Sequence, residues 1–208
     1  MSRTESTMLP LGTLLPSFDL PIVNRPNLLG RNESNDLALE KLTDKNFIKR
    51  PLLIMIICAH CPFVKHIELE ITRLHKGYGK NVDFLAVSCN SLLTHPQDGP
   101  DHLRRQAELN DWLFPYLFDY EQEFTKLLKA SCTPDFFLFT PLLDCKQKLF
   151  YRGQLDSSRP GNDIPLTGND LRIAMDAVLQ KRNIYFEQKP SIGCNIKWHP
   201  GNEPNWFD

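Results

Sequence analysis

The stretch Pro51-Leu-Leu-Ile-Met-Ile-Ile-Cys-Ala-His-Cys-Pro-Phe-Val-Lys65 constrains this chain more than any other. Leu52 to Ile57 is an unbroken apolar run, too short to cross a membrane and too β-branched to start a helix well. It predicts a central strand buried on both faces. Past Cys61 the apolar residues Val64, Ile67, Ile71, Leu74 and Tyr78 fall three and four apart, one face of a helix. Cys58 and Cys61 therefore sit at a strand-to-helix junction with two residues between them, the arrangement of redox thiols. Unpaired backbone N–H groups and the helix dipole favour an anion there, so a thiol ionises more readily than in solution. A thiolate attacks a disulfide or a peroxide, and a second thiol one turn on can close a disulfide behind it. His60, lying between the two, can add positive charge.

The same motif also reads as half a zinc site or as two inert buried cysteines. Zinc needs three or four ligands, and no second C-x-x-C or paired-histidine motif is present. His66 is a single nearby histidine, and His95, His102 and His199 show no ligand spacing. No metal is expected.

A chain of 208 residues suits one well-packed domain with decorations. A formal net charge of −1, without a basic patch, argues against a nucleic-acid partner. Met8 to Pro16 is apolar but brief and proline-bounded, a poor export signal, and no membrane-spanning stretch is present. The six cysteines, Cys58, Cys61, Cys89, Cys132, Cys145 and Cys194, follow no disulfide-framework spacing. Reduced thiols in the cytoplasm are the expectation.

Residues 1–9 read as a loose N-terminus, 10–182 as the domain and 183–208 as a tail. Gly12 to Pro21 suggests an edge strand or extended lead-in, Asn24 to Asn35 a loop, and Leu37 to Leu42 a short element of undecided type. Val82–Ser88, Phe114–Asp119, Asp135–Thr140 and Leu149–Asp156 read as further strands. Helices are expected from Pro100 to about Trp112, from Glu121 to Ser131 with Phe124, Leu127 and Leu128 inward, and after Thr167 with Leu171, Ala174, Met175, Val178 and Leu179 inward. The order β-α-β-α-β-α-β-β-α predicts an α/β sandwich: a mainly parallel sheet finished by an antiparallel hairpin, with helices on both faces. Ile192, Trp198, Trp206 and Phe207 are unusual for a solvated terminus, so the tail is expected to pack on the domain.

Cys58-Ala-His-Cys61 after a buried strand, Thr133-Pro134 before Asp135-Phe-Phe-Leu-Phe139, and the closing hairpin resemble the thioredoxin-like superfamily. The Gly12–Pro21 segment and the extra strand–helix–strand material look like its alkyl hydroperoxide reductase/thiol-specific antioxidant (AhpC/TSA) branch. Tyr151-Arg-Gly-Gln-Leu-Asp156 is similar to the hairpin of membrane-anchored thiol–disulfide reductases in that branch. His60-Cys-Pro-Phe-Val-Lys-His66, Cys132-Thr-Pro-Asp-Phe-Phe137 and Ser191-Ile-Gly-Cys-Asn-Ile-Lys-Trp198 resemble a bacterial group of thioredoxin family proteins over roughly residues 10–205. The resemblance implies a three-layer sandwich and a cis-proline at Pro134 facing the cysteines. Two departures stand out. A peroxiredoxin centre reads P-x-x-x-T-x-x-C, whereas Ile54 and Cys58 fill its proline and threonine positions, so the pocket hydroxyl is missing; Cys61-Pro62 keeps the cysteine–proline pair. A thioredoxin reads W-C-G-P-C, whereas Ile57, Ala59 and His60 replace its tryptophan and dipeptide.

The reading is a thiol–disulfide oxidoreductase in which Cys58 attacks and Cys61 resolves. His60, Pro62, Thr133 and Pro134 support them. In the alternative, a thiol peroxidase, Cys61 attacks; a third reading is a redox sensor without turnover. Cys132, two residues before Pro134, and Cys194, between Gly193 and Asn195, are candidate additional redox thiols, although free cysteine more often serves as a small buried apolar side chain. Cys89 and Cys145 read as core or turn residues, and Arg152 as decoration of a strand face. The expected partners are a disulfide-containing protein or a small thiol or disulfide, with a separate reductant, since no glycine-rich dinucleotide fingerprint is visible. No cofactor is expected.

Overall fold

A computed structural model describes residues 3–24 and 41–206. All of the expected loop from Asn24 to Asn35 but Asn24 itself, most of the undecided segment at Leu37–Leu42, and Phe207 lie outside the described residues. In chain order the elements are β1 (Arg3–Glu5), β2 (Asp19–Pro21), β3 (Lys41–Thr43), β4 (Leu52–Ile56), α1 (Pro62–Tyr78), β5 (Asp83–Ser88), α2 (Pro100–Leu109), β6 (Tyr116–Phe118), α3 (Glu123–Leu127), β7 (Cys132–Thr133), β8 (Asp135–Pro141), β9 (Gln147–Gly153), α4 (Asn169–Leu179) and β10 (Ile192–Asn195).

The central sheet has five strands in the order β6-β5-β4-β8-β9. β4 and β5 pair in parallel, as do β5 and β6, while β4–β8 and β8–β9 are antiparallel. This is the mixed sheet with a closing hairpin read from the sequence. Alternation along β4 explains its unbroken apolarity. Leu53, Met55 and Ile57 enter one core with Val64, Ile67, Ile71 and Leu74 of α1 and Leu171, Ala174 and Met175 of α4. Leu52, Ile54 and Ile56 enter the opposite core with Phe124 of α3, Phe137 and Phe139 of β8, and Trp198. A strand covered on both faces has no position left for a polar side chain.

Two expectations change. The sequence reading made residues 1–9 loose, yet β1 pairs antiparallel with β10, and the backbone N–H of Ser6 bonds to the Ser191 carbonyl. Backbone hydrogen bonding, not apolar patterning, orders this stretch, so Arg-Thr-Glu carries no strand signal. α3 is shorter than expected, and Leu127 is exposed while Phe124 and Leu128 are buried.

A second, three-stranded sheet in the order β1-β10-β7 lies against the start of α1. The segment after β10 is anchored by the buried Gln122, whose amide donates to the Cys89 and Lys197 carbonyls and whose oxygen accepts from His199 N–H and the Asn202 amide. Trp198 is buried and meets the Trp206 ring edge-on at 6.1 Å.

Candidate functional site

The N-cap of α1 is Cys61, and Pro62 is the first helical residue. Proline suits that position because its missing N–H would be unpaired there anyway. The sequence reading opened the helix at Cys58 and put Cys61 one turn inside; the helix instead begins beyond Cys61. Cys61 therefore stands at the positive end of the helix, while Cys58 ends the extended segment after β4.

Both cysteines are fully buried. As a thiol, Cys61 donates to the Thr133 carbonyl at 3.2 Å. Its ionised form is favoured by hydrogen bonds from the Cys194 and Cys58 thiols, which outweigh the opposing effect of burial, and further by the Thr133 hydroxyl and the Val64 N–H. Its pKa is held well below the ordinary thiol range. Burial pushes Cys58 the other way, with its bond to Cys61 and the Asp98 charge adding to the rise. A thiolate at Cys61 with protonated partners at Cys58 and Cys194 is the charge state this arrangement favours.

Thr133 forms the opposing wall, next to a cis peptide bond to Pro134. Its Oγ1 lies 3.5 Å from Cys58 Sγ. A hydroxyl does stand beside the thiols, supplied from β7 rather than from the motif. No sequence spacing could place it there, since the contact closes a loop of some seventy residues.

Asp98 is the residue that sequence reasoning missed. It is buried, and its Oδ1 accepts the backbone N–H groups of Ala59 and His60, each at 3.0 Å. Its Oδ2 accepts the Asn90 amide at 2.7 Å and the His60 Nδ1–H. Burial disfavours its charge, but the hydrogen bonds from His60 and Asn90 prevail and hold the carboxyl below its ordinary range. In sequence it belongs to a polar loop before Gly99-Pro100, which reads as solvated. Cys58 Sγ is 3.8 Å from the same His60 Nδ1 that Asp98 engages. One nitrogen cannot pass a proton between both, so Cys58, His60 and Asp98 form no acid–base relay; the carboxylate clamps the Ala59–His60 turn.

Cys58 Sγ, a His60 nitrogen and an Asp98 oxygen lie within 4.8 Å of one another, donor types that suit zinc. In this structure both Asp98 oxygens accept hydrogen bonds from the protein.

The remaining candidates separate by geometry. Cys194 of β10 stands opposite Thr133 and reaches Cys61. Cys132 points away, toward the Pro134 and Ser191 carbonyls at 3.7 and 3.9 Å, and burial together with the nearby Asp135 raises its pKa. Cys89 is buried in the opposite core and Cys145 is exposed in the β8–β9 turn. Arg152 bonds to the Leu9 carbonyl and to Gln188, away from the thiols.

The chain is similar over nearly its whole length to two solved structures. One is an uncharacterized conserved protein from Geobacillus kaustophilus, 42% identical, with a TM-score of 0.84, covering 96% of this chain and 98% of that one. The other is the hypothetical protein SMc02350 from Sinorhizobium meliloti, 35% identical, with a TM-score of 0.79, covering 94% and 98%. A secreted Mycobacterium tuberculosis disulfide oxidoreductase shares the fold at 9% identity and a TM-score of 0.55, over 77% of this chain and 95% of that one. Other disulfide oxidoreductases and peroxiredoxins share it at 8 to 14% identity, which makes the fold thioredoxin-like. No protein-family model matches the chain, and no curated protein matches it. No helix among the described residues is long and apolar enough to cross a membrane.

Proposed function

We propose that this chain, which belongs to the same family as the Geobacillus and Sinorhizobium proteins and has a thioredoxin-like fold, is a thiol–disulfide oxidoreductase. One observation carries the reading: Cys61 caps α1 with its thiolate favoured, and Cys58 shares its buried cluster and its Thr133 wall. The attacking role passes from Cys58, as read from the sequence, to Cys61. The Cys61 thiolate attacks one sulfur of a substrate disulfide; a mixed disulfide forms and the other substrate sulfur leaves as a thiolate. Cys58 then attacks the Cys61 sulfur, which closes Cys58–Cys61 and releases the second substrate thiol. A separate dithiol reductant returns the pair to the reduced state. His60, with its side chain 15% exposed, and Ala59 are the parts of the site that reach solvent, so substrate approaches over this turn. The fit is to a protein or small-molecule disulfide in a reducing compartment such as the cytoplasm.

The test is equilibration of the reduced protein with glutathione redox buffers and peptide mapping. A reversible Cys58–Cys61 disulfide is expected, absent in Cys58→Ser and Cys61→Ser, together with turnover of a disulfide substrate by the wild type. Failure of the wild type to form that disulfide overturns the reading.

The Thr133 hydroxyl favours a second reading, a thiol peroxidase with Cys61 attacking peroxide. Sulfenic acid trapped on Cys61 by peroxide, with no disulfide turnover, selects it.

A further inference from the structure

We propose that Cys194 is a third redox thiol of the site, which takes over Cys61 from Cys58 by intramolecular disulfide exchange. The proposal rests on the disulfide chemistry argued above and extends it to the tail.

Strand alternation explains why Cys194 takes part and Cys132 does not. Cys194 is the cross-strand partner of Thr133, and directly opposed residues of an antiparallel pair project on the same face. Thr133 projects onto the thiols, with its hydroxyl 3.5 Å from Cys58 Sγ. Cys194 is thereby carried to the same place, where it hydrogen-bonds Cys61. Cys132 is the neighbour of Thr133 along the strand, so it projects to the other face. Cys58, Cys61 and Cys194 all belong to one buried cluster, and Cys132 is absent from it.

Gly193 makes the approach possible. A Cβ there would collide with the Thr133 carbonyl oxygen, the same oxygen that accepts from Cys61. A residue without a side chain lets β10 lie flat on β7 and brings the next residue against the helix N-terminus.

The exchange balances without any added reagent. Substrate disulfide first oxidises the pair to Cys58–Cys61. The Cys194 sulfur, giving up its proton, attacks Cys61 Sγ; the Cys61–Cys194 bond forms as the Cys58–Cys61 bond breaks. The electron pair of the broken bond stays on Cys58, which takes up a proton. One disulfide replaces another with no net oxidation, and Cys58 is again a thiol while the oxidising equivalent joins α1 to the tail strand.

The experiment treats wild type, Cys58→Ser, Cys194→Ser and Cys132→Ser proteins with oxidised glutathione, blocks remaining thiols by alkylation and maps the disulfides. Wild type is expected to give both Cys58–Cys61 and Cys61–Cys194. Cys58→Ser should give Cys61–Cys194 alone, Cys194→Ser should give Cys58–Cys61 alone, and Cys132→Ser should match the wild type. If the wild type gives Cys58–Cys61 only, the relay is overturned while the oxidoreductase reading stands, and Cys58→Ser should then stop at a Cys61–glutathione adduct with Cys194 alkylated. The wild-type map needs no substitution, so a poorly folding variant leaves the test intact.

Discussion

The strand-to-helix junction and the small tail sheet meet at the same thiols but are held by different forces. The β4–α1 junction is a local product: an apolar strand and the helix it feeds, buried against two cores. The β1-β10-β7 sheet gathers three short, distant segments by backbone hydrogen bonds, with one glycine permitting contact. In the proposed reaction the junction supplies the reactive sulfurs, and the tail sheet supplies part of what sets their ionisation. Stability and reactivity should therefore respond to different substitutions.

The largest loss is expected at the junction. Ile54→Ala removes a fully buried side chain from β4 and should cost about 4 kcal/mol in urea unfolding. The thiols of the protein that remains folded should ionise as in the wild type; a large change in thiolate absorbance would blur the division. Gly193→Ala strikes the tail sheet. Its methyl meets the Thr133 carbonyl, so a loss of about 3 kcal/mol is expected with much faster alkylation of Cys194 in the native state. Unchanged alkylation would mean that the glycine does not hold the strand in place.

A smaller effect should come from Asp135, at the start of β8 beside the tail. Burial pushes its carboxyl up to about 8. An unfolded carboxyl titrates near roughly 4, so between these values the native state holds a proton the unfolded state has lost. Stability contributed by this group is therefore present at low pH and falls as pH rises from roughly 4 through about 8. Asp135→Asn should flatten that decline and gain about 2 kcal/mol over the wild type in alkaline buffer. Parallel pH–stability curves for the two proteins would refute it. The smallest change is Thr133→Val, which keeps the shape and removes one donor to Cys61. It should move the thiolate titration upward by about one unit, with stability lowered by less than about 1 kcal/mol.

The same division decided what the sequence could reveal. Leu52–Ile57 and the three-and-four spacing from Val64 to Leu74 are local patterns, and they carry the strand, the helix and the two thiols directly. β7 has two residues and β1 has three, too few to display a period of two, so nothing in the chain told Cys194 from Cys132. Asp98 looked solvated because the groups that bury it, the Ala59 and His60 backbone and Asn90, come from other parts of the chain. Thr133 was named through the resemblance, from its place before Pro134, but that its hydroxyl reaches Cys58 is a contact through space that no local pattern displays.

The pairing of β10 with β7 also has a consequence in time. During synthesis β4 through β9 leave the ribosome before β10, so the central sheet can form around Cys58 and Cys61 while Cys194 is still untranslated. A nascent chain stalled at that stage has the β4–α1 junction in place and lacks the strand that lies against it. The last of the described strands to arrive would cover the start of α1 after the sheet beneath it has formed.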